Sequence, residues 1–321
     1  MIVSASYKTD IPAFYGDWFM NRLDAGFCMM VNPYNGRAIR VSLTRADVDG
    51  LVFWTKNVGP FLGPLGEVHR LGYPFVVQYS INAYPRTLEY SVVNAGRSID
   101  HMRRLSEQFG SRVPVWRYDP IIFSSITPLE FHIDNFDSLA SQLDGATDEV
   151  VVSFAQIYRK TRLNMDWAGR EFGFSWTDPD DSTKSELVAK LAQVAAAHRM
   201  QLTMCSQPEY VSGSVRESRC VDVERLSDVG GQVVRAKQEG NRPTCGCYAS
   251  RDIGDYDTCP HGCVYCYAVR NRRLAQQRYR EHDPNAEFLF LPHKDVGPSH
   301  VGQVAVDEQL VLFNSEQAGP R

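Results

Sequence analysis

EVVVSFAQIY, residues 149–158, carries three consecutive valines, 150–152, with no polar residue alternating between them. A strand with one face in water alternates and a strand covered on both faces does not, so this run reads as a buried strand of a parallel sheet. Runs of the same kind stand on either side of it, at IVSAS (2–6), FCMMVNP (27–33), LVFWTKN (51–57), FVVQYSIN (75–82), VPVWRYDPI (113–121) and QLTMCSQ (201–207). Segments of helical character separate them, clearest at 86–110, at 127–143 after a Thr127-Pro128 start, and at 180–199. Seven alternations predict an α/β fold: a (β/α) barrel, complete or partly open, built of parallel strands, with an open doubly wound sheet as the other arrangement. Residues 1–290 are expected to form this unit, including a cysteine-rich segment at 205–268, and residues 291–321 a C-terminal tail with an appended strand or little order.

The 321 residues are 43% hydrophobic and 22% charged, without low-complexity tracts, which is enough apolar material for a sizeable core. A net charge of −4 argues against a dominant sequence-independent grip on nucleic acid, which needs many phosphate-neutralising cations. The start, MIVSASYKTDIP, lacks the basic and apolar regions of a signal peptide, and no run reaches membrane-spanning length, so a cytoplasmic chain with no membrane partner is expected. One local exception to the acidic balance is RNRRLAQQRYR (270–280), five arginines on an expected helix near 264–280. Such a face either meets nucleic acid or another phosphate-bearing partner, or is simply solvated. His282 and Asp283 are expected to terminate that helix.

In barrels, chemistry gathers where the strands end. The runs end in Ser4 and Ser6, Asn32, Thr55 with Lys56 and Asn57, Gln78 with Asn82, Arg117 with Asp119, Ser153 with Gln156, and Cys205. Each alone reads as a loop or capping residue; as a ring they outline a pocket. Lys56 suits a carboxylate or phosphate, or is a solvated strand-end lysine. Arg117 and Asp119, two apart on an extended chain, share a face and form either part of the pocket or a structural ion pair. Thr9 and Asp10 are expected to cap a helix beginning at Pro12.

Seven of the eight cysteines fall at or after residue 205. In a reducing compartment that pattern favours metal or cluster ligation over disulfides; Cys28, in GFCMMV, reads as a small buried hydrophobe. Cys259, Cys263 and Cys266 follow CxxxCxxC. Three thiolates can hold a four-iron, four-sulfide cube and leave one iron open, whereas zinc sites more often pair two CxxC motifs. Cys205, Cys220, Cys245 and Cys247 remain, the number that closes a second iron–sulfur cluster or a tetrahedral zinc site; of the two, the sequence reading favours the cluster. The other reading makes Cys205 and Cys220 plain buried thiols.

The CPHGCVYCYA loop (259–268) resembles the signature of the radical S-adenosylmethionine (radical SAM) enzymes, down to an aromatic residue, Tyr265, before the third cysteine. The segment is also similar, locally, to that of spore photoproduct lyase. Through SASYKTDIPAFYGDWF, NPYNG, VFWTKN, QYSINAYP, WRYDPII, SFAQIY, CGCYASRDIGDYDTCPHGCVYCYA and HDPNAEFL, the wider chain resembles a bacterial family known as domain of unknown function 1848. The radical SAM resemblance implies a 4Fe-4S cluster whose open iron takes the amino and carboxylate groups of S-adenosyl-L-methionine, and a 5'-deoxyadenosyl radical that abstracts hydrogen from an unidentified substrate. It also implies a flavodoxin or ferredoxin as reductant, and Tyr265 against the adenine. Ser4, Ser6, Lys56, Gln78, Arg117 and Asp119 are then the strand-end candidates for the cofactor pocket. Two departures stand out: the cysteines follow the last recognisable strand instead of the first, and no GGE-like run follows them. A closed or nearly closed barrel would bring those two strands together. The competing functions are a zinc-stabilised, non-enzymatic nucleic-acid-binding module and an iron–sulfur electron-transfer or sensor protein.

Overall fold

The computed structural model describes residues 1–32 and 36–290. The expected tail at 291–321 lies outside the described residues, as does part of the NPYNG stretch. In chain order the strands are β1 (Ile2–Ala5), β2 (Phe27–Val31), β3 (Ala38–Ser42), β4 (Gly50–Thr55), β5 (Phe75–Ser80), β6 (Pro114–Ile121), β7 (Phe123–Ser124), β8 (Glu149–Phe154), β9 (Trp176–Thr177), β10 (Gln201–Met204), β11 (Arg216–Glu217) and β12 (Ser250–Asp252). The helices are α1 (Ile11–Phe14), α2 (Gly16–Ala25), α3 (Leu62–Arg70), α4 (Ala95–Phe109), α5 (Leu129–Leu143), α6 (Arg159–Phe172), α7 (Asp181–Ala197), α8 (Val223–Gly230) and α9 (Arg272–Glu281).

Eight of the strands make one parallel sheet in the order β11-β10-β8-β6-β5-β4-β1-β12. From β1 to β11 every crossover steps the same way, and β12 then returns to the free edge of β1, pairing Ile2 with Ser250 and Ser4 with Asp252. The fold is thus α/β with a large parallel sheet flanked by helices. No ladder joins β11 to β12 among the described residues, so a closed barrel is not what the pairing gives.

Alternate residues of each strand sort to the two faces, as the period of two requires. Val3, Leu51, Phe53, Val77, Trp116, Val150 and Val152 join the large core beneath the helices, where Phe61, Phe136 and Leu191 are fully buried. Ile2, Val52, Val76, Val115 and Val151 lie on the other face, beneath Cys220, Val221, Leu226, Val234 and Cys247. Burial of each such side chain contributes about 1.5–3 kcal/mol. Coverage on both faces is why these strands carry no polar alternation.

Several expectations are corrected. The 27–33 run is not a strand of the main sheet: β2 pairs antiparallel with β3, which the sequence reading missed, because the six residues 32–37 allow a hairpin but no parallel crossover. Asn32 therefore leaves the ring of strand ends. The helix expected at 86–110 begins only at Ala95, where the Asn94 side chain accepts from Arg97 N; Pro85 opens a turn-rich stretch before it. The helix expected from 264 begins at Arg272, capped by Asn271, and its expected end at His282 is observed. Asp10 caps α1 by accepting from Ala13 N at 3.0 Å, as expected. No helix among the described residues is long and apolar enough to cross a membrane.

His132, fully buried on α5, sits between Tyr118 Oη (3.0 Å from Nδ1) and the Ile122 carbonyl (3.0 Å from Nε2). A carbonyl only accepts, so Nε2 carries the proton and Nδ1 accepts from Tyr118. Burial pushes the imidazole from 6.5 down to about 4. The unfolded chain takes up a proton as pH falls through about 6.5 and the folded one only near 4, so stability present above pH 6.5 is lost between those values, by about 3 kcal/mol. Urea denaturation of the native protein and His132→Gln at pH 7.5 and pH 4.5 checks this: the difference between the two pH values is expected to shrink in the variant.

Candidate functional site

Because all eight main-sheet strands are parallel, their carboxyl ends lie along one edge, the side where ligands of such sheets bind. At one end of that edge the first and last strands are tied by a buried carboxylate. Asp252 accepts from Ser4 Oγ (2.9 Å), Ser6 Oγ (2.7 Å), Tyr7 N (3.0 Å) and Gly254 N (3.1 Å), and Lys8 Nζ stands 3.4 Å away. Ser4 and Ser6 thus direct their hydroxyl protons to Asp252.

The loop carrying Cys259, Cys263 and Cys266 follows β12 directly. Asp257 N donates to Ala268 O (3.0 Å) and closes its base; Tyr15 Oη holds Thr258 O (2.6 Å), and Tyr267 Oη holds Tyr7 O (2.9 Å). On the far side, Ser91 N donates to His261 O and Val264 N to Leu88 O, at 2.9 and 3.0 Å. Inside this cage the three thiols lie within electrostatic reach of one another, all free of disulfides. Burial is the main cause that pushes Cys259 up to about 12, with Asp10 and Cys266 adding to it, and it drives Cys263 well above the usual thiol range despite Lys56 nearby.

Lys56, just past β4, reaches Glu89 Oε1 (2.8 Å) and Asn82 Oδ1 (3.2 Å), and Tyr265 Oη donates to the same Glu89 oxygen. Burial opposes the charge on Lys56, but Glu89, Cys263 and Asp119 outweigh it and hold the ammonium above its ordinary range. Tyr265 is buried against Tyr84, Leu88 and Met165. A cavity of about 180 Å³ shares Asn82 and Glu89 with this network and is also lined by Ser80, Tyr84 and Arg86. His261 Nε2 stands 2.7 Å from Asp10 Oδ2, which also accepts from Lys56 N at 2.7 Å. Its other ring nitrogen, Nδ1, is buried without a partner among the described residues.

Farther along the edge, Arg117 is buried and bidentate to Asp119 (3.0 and 2.5 Å), and its Nη1 donates to Gln78 Oε1 (3.0 Å) and Cys220 Sγ (2.8 Å). Gln78 Nε2 donates to Cys220 O, and Ser153 Oγ to Asp119 Oδ2. Gln156 accepts from Tyr158, and Thr55 and Asn57 cap the turn after β4. Cys205 and Cys220 have their sulfurs 3.8 Å apart. Cys247 lies within electrostatic range of both Cys220 and Cys245. Hydrogen bonds from Cys205 and Cys247 hold the Cys220 thiol well below its usual range. Among the described residues, no group of three or more His, Cys, Asp or Glu is assembled so that it could hold a metal ion as it stands.

The members of each cysteine set thus lie within electrostatic range of one another, and the strand-end residues divide between the sets: Ser4, Ser6 and Lys56 near the CxxxCxxC loop, Gln78, Arg117 and Asp119 toward Cys220. On α9, Arg272 stacks over Tyr90 at 4.1 Å and Arg278 over Phe290 at 4.6 Å, and Arg270 pairs with Asp257; Arg273 and Arg280 are exposed. Sequence reasoning missed Asp252, Glu89 and His261 as parts of the site. The one signal was the run of acids around β12 in RDIGDYD, which placed charge where a short strand is buried.

A sequence model of the family described as a domain of unknown function (DUF1848) matches residues 2–268, which takes in the whole sheet and all eight cysteines. No curated protein matches the chain. Among solved structures, a dihydropyrimidinase from Brevibacillus agri aligns at 12% identity with a TM-score of 0.29, over 71% of this chain and 43% of that one. The chain thus spans less than half the length of that protein.

Proposed function

The chain belongs to the DUF1848 family, and from that premise we propose that it is a radical SAM iron–sulfur enzyme, its sheet being a barrel left open between β11 and β12. The observation that carries the reading is the placement of three half-buried cysteines, free of disulfides and within electrostatic reach of one another, on a CxxxCxxC loop that follows the last strand of a parallel sheet. The donor set fits a cube: each of the three thiolates, within electrostatic reach of one another, would take a different iron and leave the fourth iron open. His261 Nδ1, in the same loop, is a buried polar atom without a partner among the described residues.

When bound, the cluster and S-adenosyl-L-methionine would supply a 5'-deoxyadenosyl radical for hydrogen abstraction. The chain's own residues prepare the place. Lys56 offsets thiolate charge at Cys263 and Cys266. Glu89 fixes both Lys56 and Tyr265, so the aromatic ring before the third cysteine cannot swing freely. Asp252 locks β12 onto β1, which brings a cysteine loop late in the sequence to the first strand.

The test is anaerobic reconstitution of the full chain, reduction with dithionite and incubation with S-adenosyl-L-methionine. About four irons per chain and accumulation of 5'-deoxyadenosine are expected. A reduced cluster that yields no 5'-deoxyadenosine would make the protein an electron carrier or sensor instead.

A further inference from the structure

We propose that Cys205, Cys220, Cys245 and Cys247 form a closed, structural zinc site that fastens the segment between β10 and β12 to the face of the sheet away from the main helical layer. The inference is independent of the function proposed above. It rests first on spacing. Two thiolates at about 2.3 Å from one tetrahedral ion stand about 3.8 Å apart, and Cys205 and Cys220 stand 3.8 Å apart. Cys247 lies within interaction range of Cys220, and Cys245 within range of Cys247, so the four thiols are neighbours in one cluster. A four-iron cube would place each sulfur on its own iron and hold them well out of contact. The geometry therefore favours one ion over the second cluster expected from the sequence.

The second support is the donor set. Four sulfurs and no histidine or carboxylate give a site without an open position, which suits structure and not catalysis. They come from three places in the chain: the end of β10, the turn after β11 and the loop before β12. Arg117 Nη1, 2.8 Å from Cys220 Sγ, supplies the outer N–H bond that orients a ligating thiolate. The sulfurs are not yet gathered about a single point. Binding displaces the thiol protons that lie between them and draws the four around the ion, releasing those protons to solvent.

The third support is what the site would hold. From Gly231 to Ala249 the chain contains no helix or strand, yet Val234 and Cys247 are buried against Val76 and Val151. An irregular segment that covers a sheet face needs a tie, and these four residues are placed to provide it. The backbone closes tightly there: a Cβ on Gly240 would come within 2.2 Å of the Cys245 carbonyl oxygen.

The test is metal analysis of the full-length protein, native and with Cys259, Cys263 and Cys266 all changed to serine. About one zinc per chain is expected in both, with iron only in the first. Cys245→Ser, on the less buried side of the four thiols, is expected to lower zinc at least tenfold while leaving iron unchanged. Because a variant can fail to fold, the native protein grown with cobalt provides a second reading: the intense thiolate-to-cobalt absorption and tetrahedral ligand-field bands of a four-sulfur site are expected. Iron at about eight per chain, or neither metal at these four cysteines, would overturn the proposal whatever the fate of the CxxxCxxC loop.

Discussion

Cys263→Ser is expected to lower iron from about four per chain to near zero and to bleach the broad absorbance near 400 nm, while the far-ultraviolet circular dichroism stays native. The serine hydroxyl fills nearly the same volume but is a hard donor that stays protonated, and an iron–sulfide cube wants soft thiolate. With two thiolates left, two of the four irons have no protein ligand and the cube has no stable seat. Cys263 forms no disulfide, and its carbonyl accepts from Cys266 N at 3.2 Å, a backbone bond that the substitution leaves alone. Production of 5'-deoxyadenosine should disappear with the iron. The control is Cys28→Ala, a buried residue of the main core far from the loop in the packing, which should keep full iron and full product. Normal iron in Cys263→Ser would remove that residue from the ligand set and with it the reading of the loop.

The largest effect on stability is expected at Asp252. Asp252→Ala removes the acceptor of two serine hydroxyls and two backbone N–H groups and leaves Lys8 buried without its counter-charge. Breaking a buried pair from one side costs about 3–5 kcal/mol, because the partner charge stays behind. For a chain of this size that corresponds to a melting temperature lower by roughly 10 °C. The double variant Asp252→Ala with Lys8→Met should recover a measurable part of the loss, since it removes the stranded ammonium along with its partner. Thermal unfolding of the four proteins of this cycle measures the coupling. A drop of less than about 2 °C in the single variant, on the same scale, would show that β1 and β12 are held by their ladder alone.

What could be read in advance follows from the range of each interaction. The six main-sheet runs from β1 to β10 were legible because a strand covered on both faces writes its burial into consecutive residues. β11 and β12, two and three residues long, are too short to carry any period, and so the two outer places in the sheet were not visible. The 27–33 run carries the same apolar signature but lies in a hairpin; composition reports burial and not the partner strand. The CxxxCxxC loop and the strand-end lysine and arginine were found by local pattern. Asp252, Glu89 and His261 were not, because their partners are remote: Ser4 lies 248 residues from Asp252, Tyr265 lies 176 from Glu89, and Asp10 lies 251 from His261. The choice proposed above between a second cluster and zinc at Cys205, Cys220, Cys245 and Cys247 turns on sulfur separations such as the 3.8 Å between Cys205 and Cys220, which no sequence spacing encodes.

The pairing of β1 with β12 also has a meaning for biosynthesis. At about 5–20 residues per second, the ribosome releases β1 long before its neighbour exists, and during that interval one border of the nascent sheet keeps its N–H and C=O groups unmatched. Such a border invites wrong partners, and contacts so distant along the chain form slowly. An iron–sulfur centre of the kind proposed for the CxxxCxxC loop would be loaded only after this final zippering.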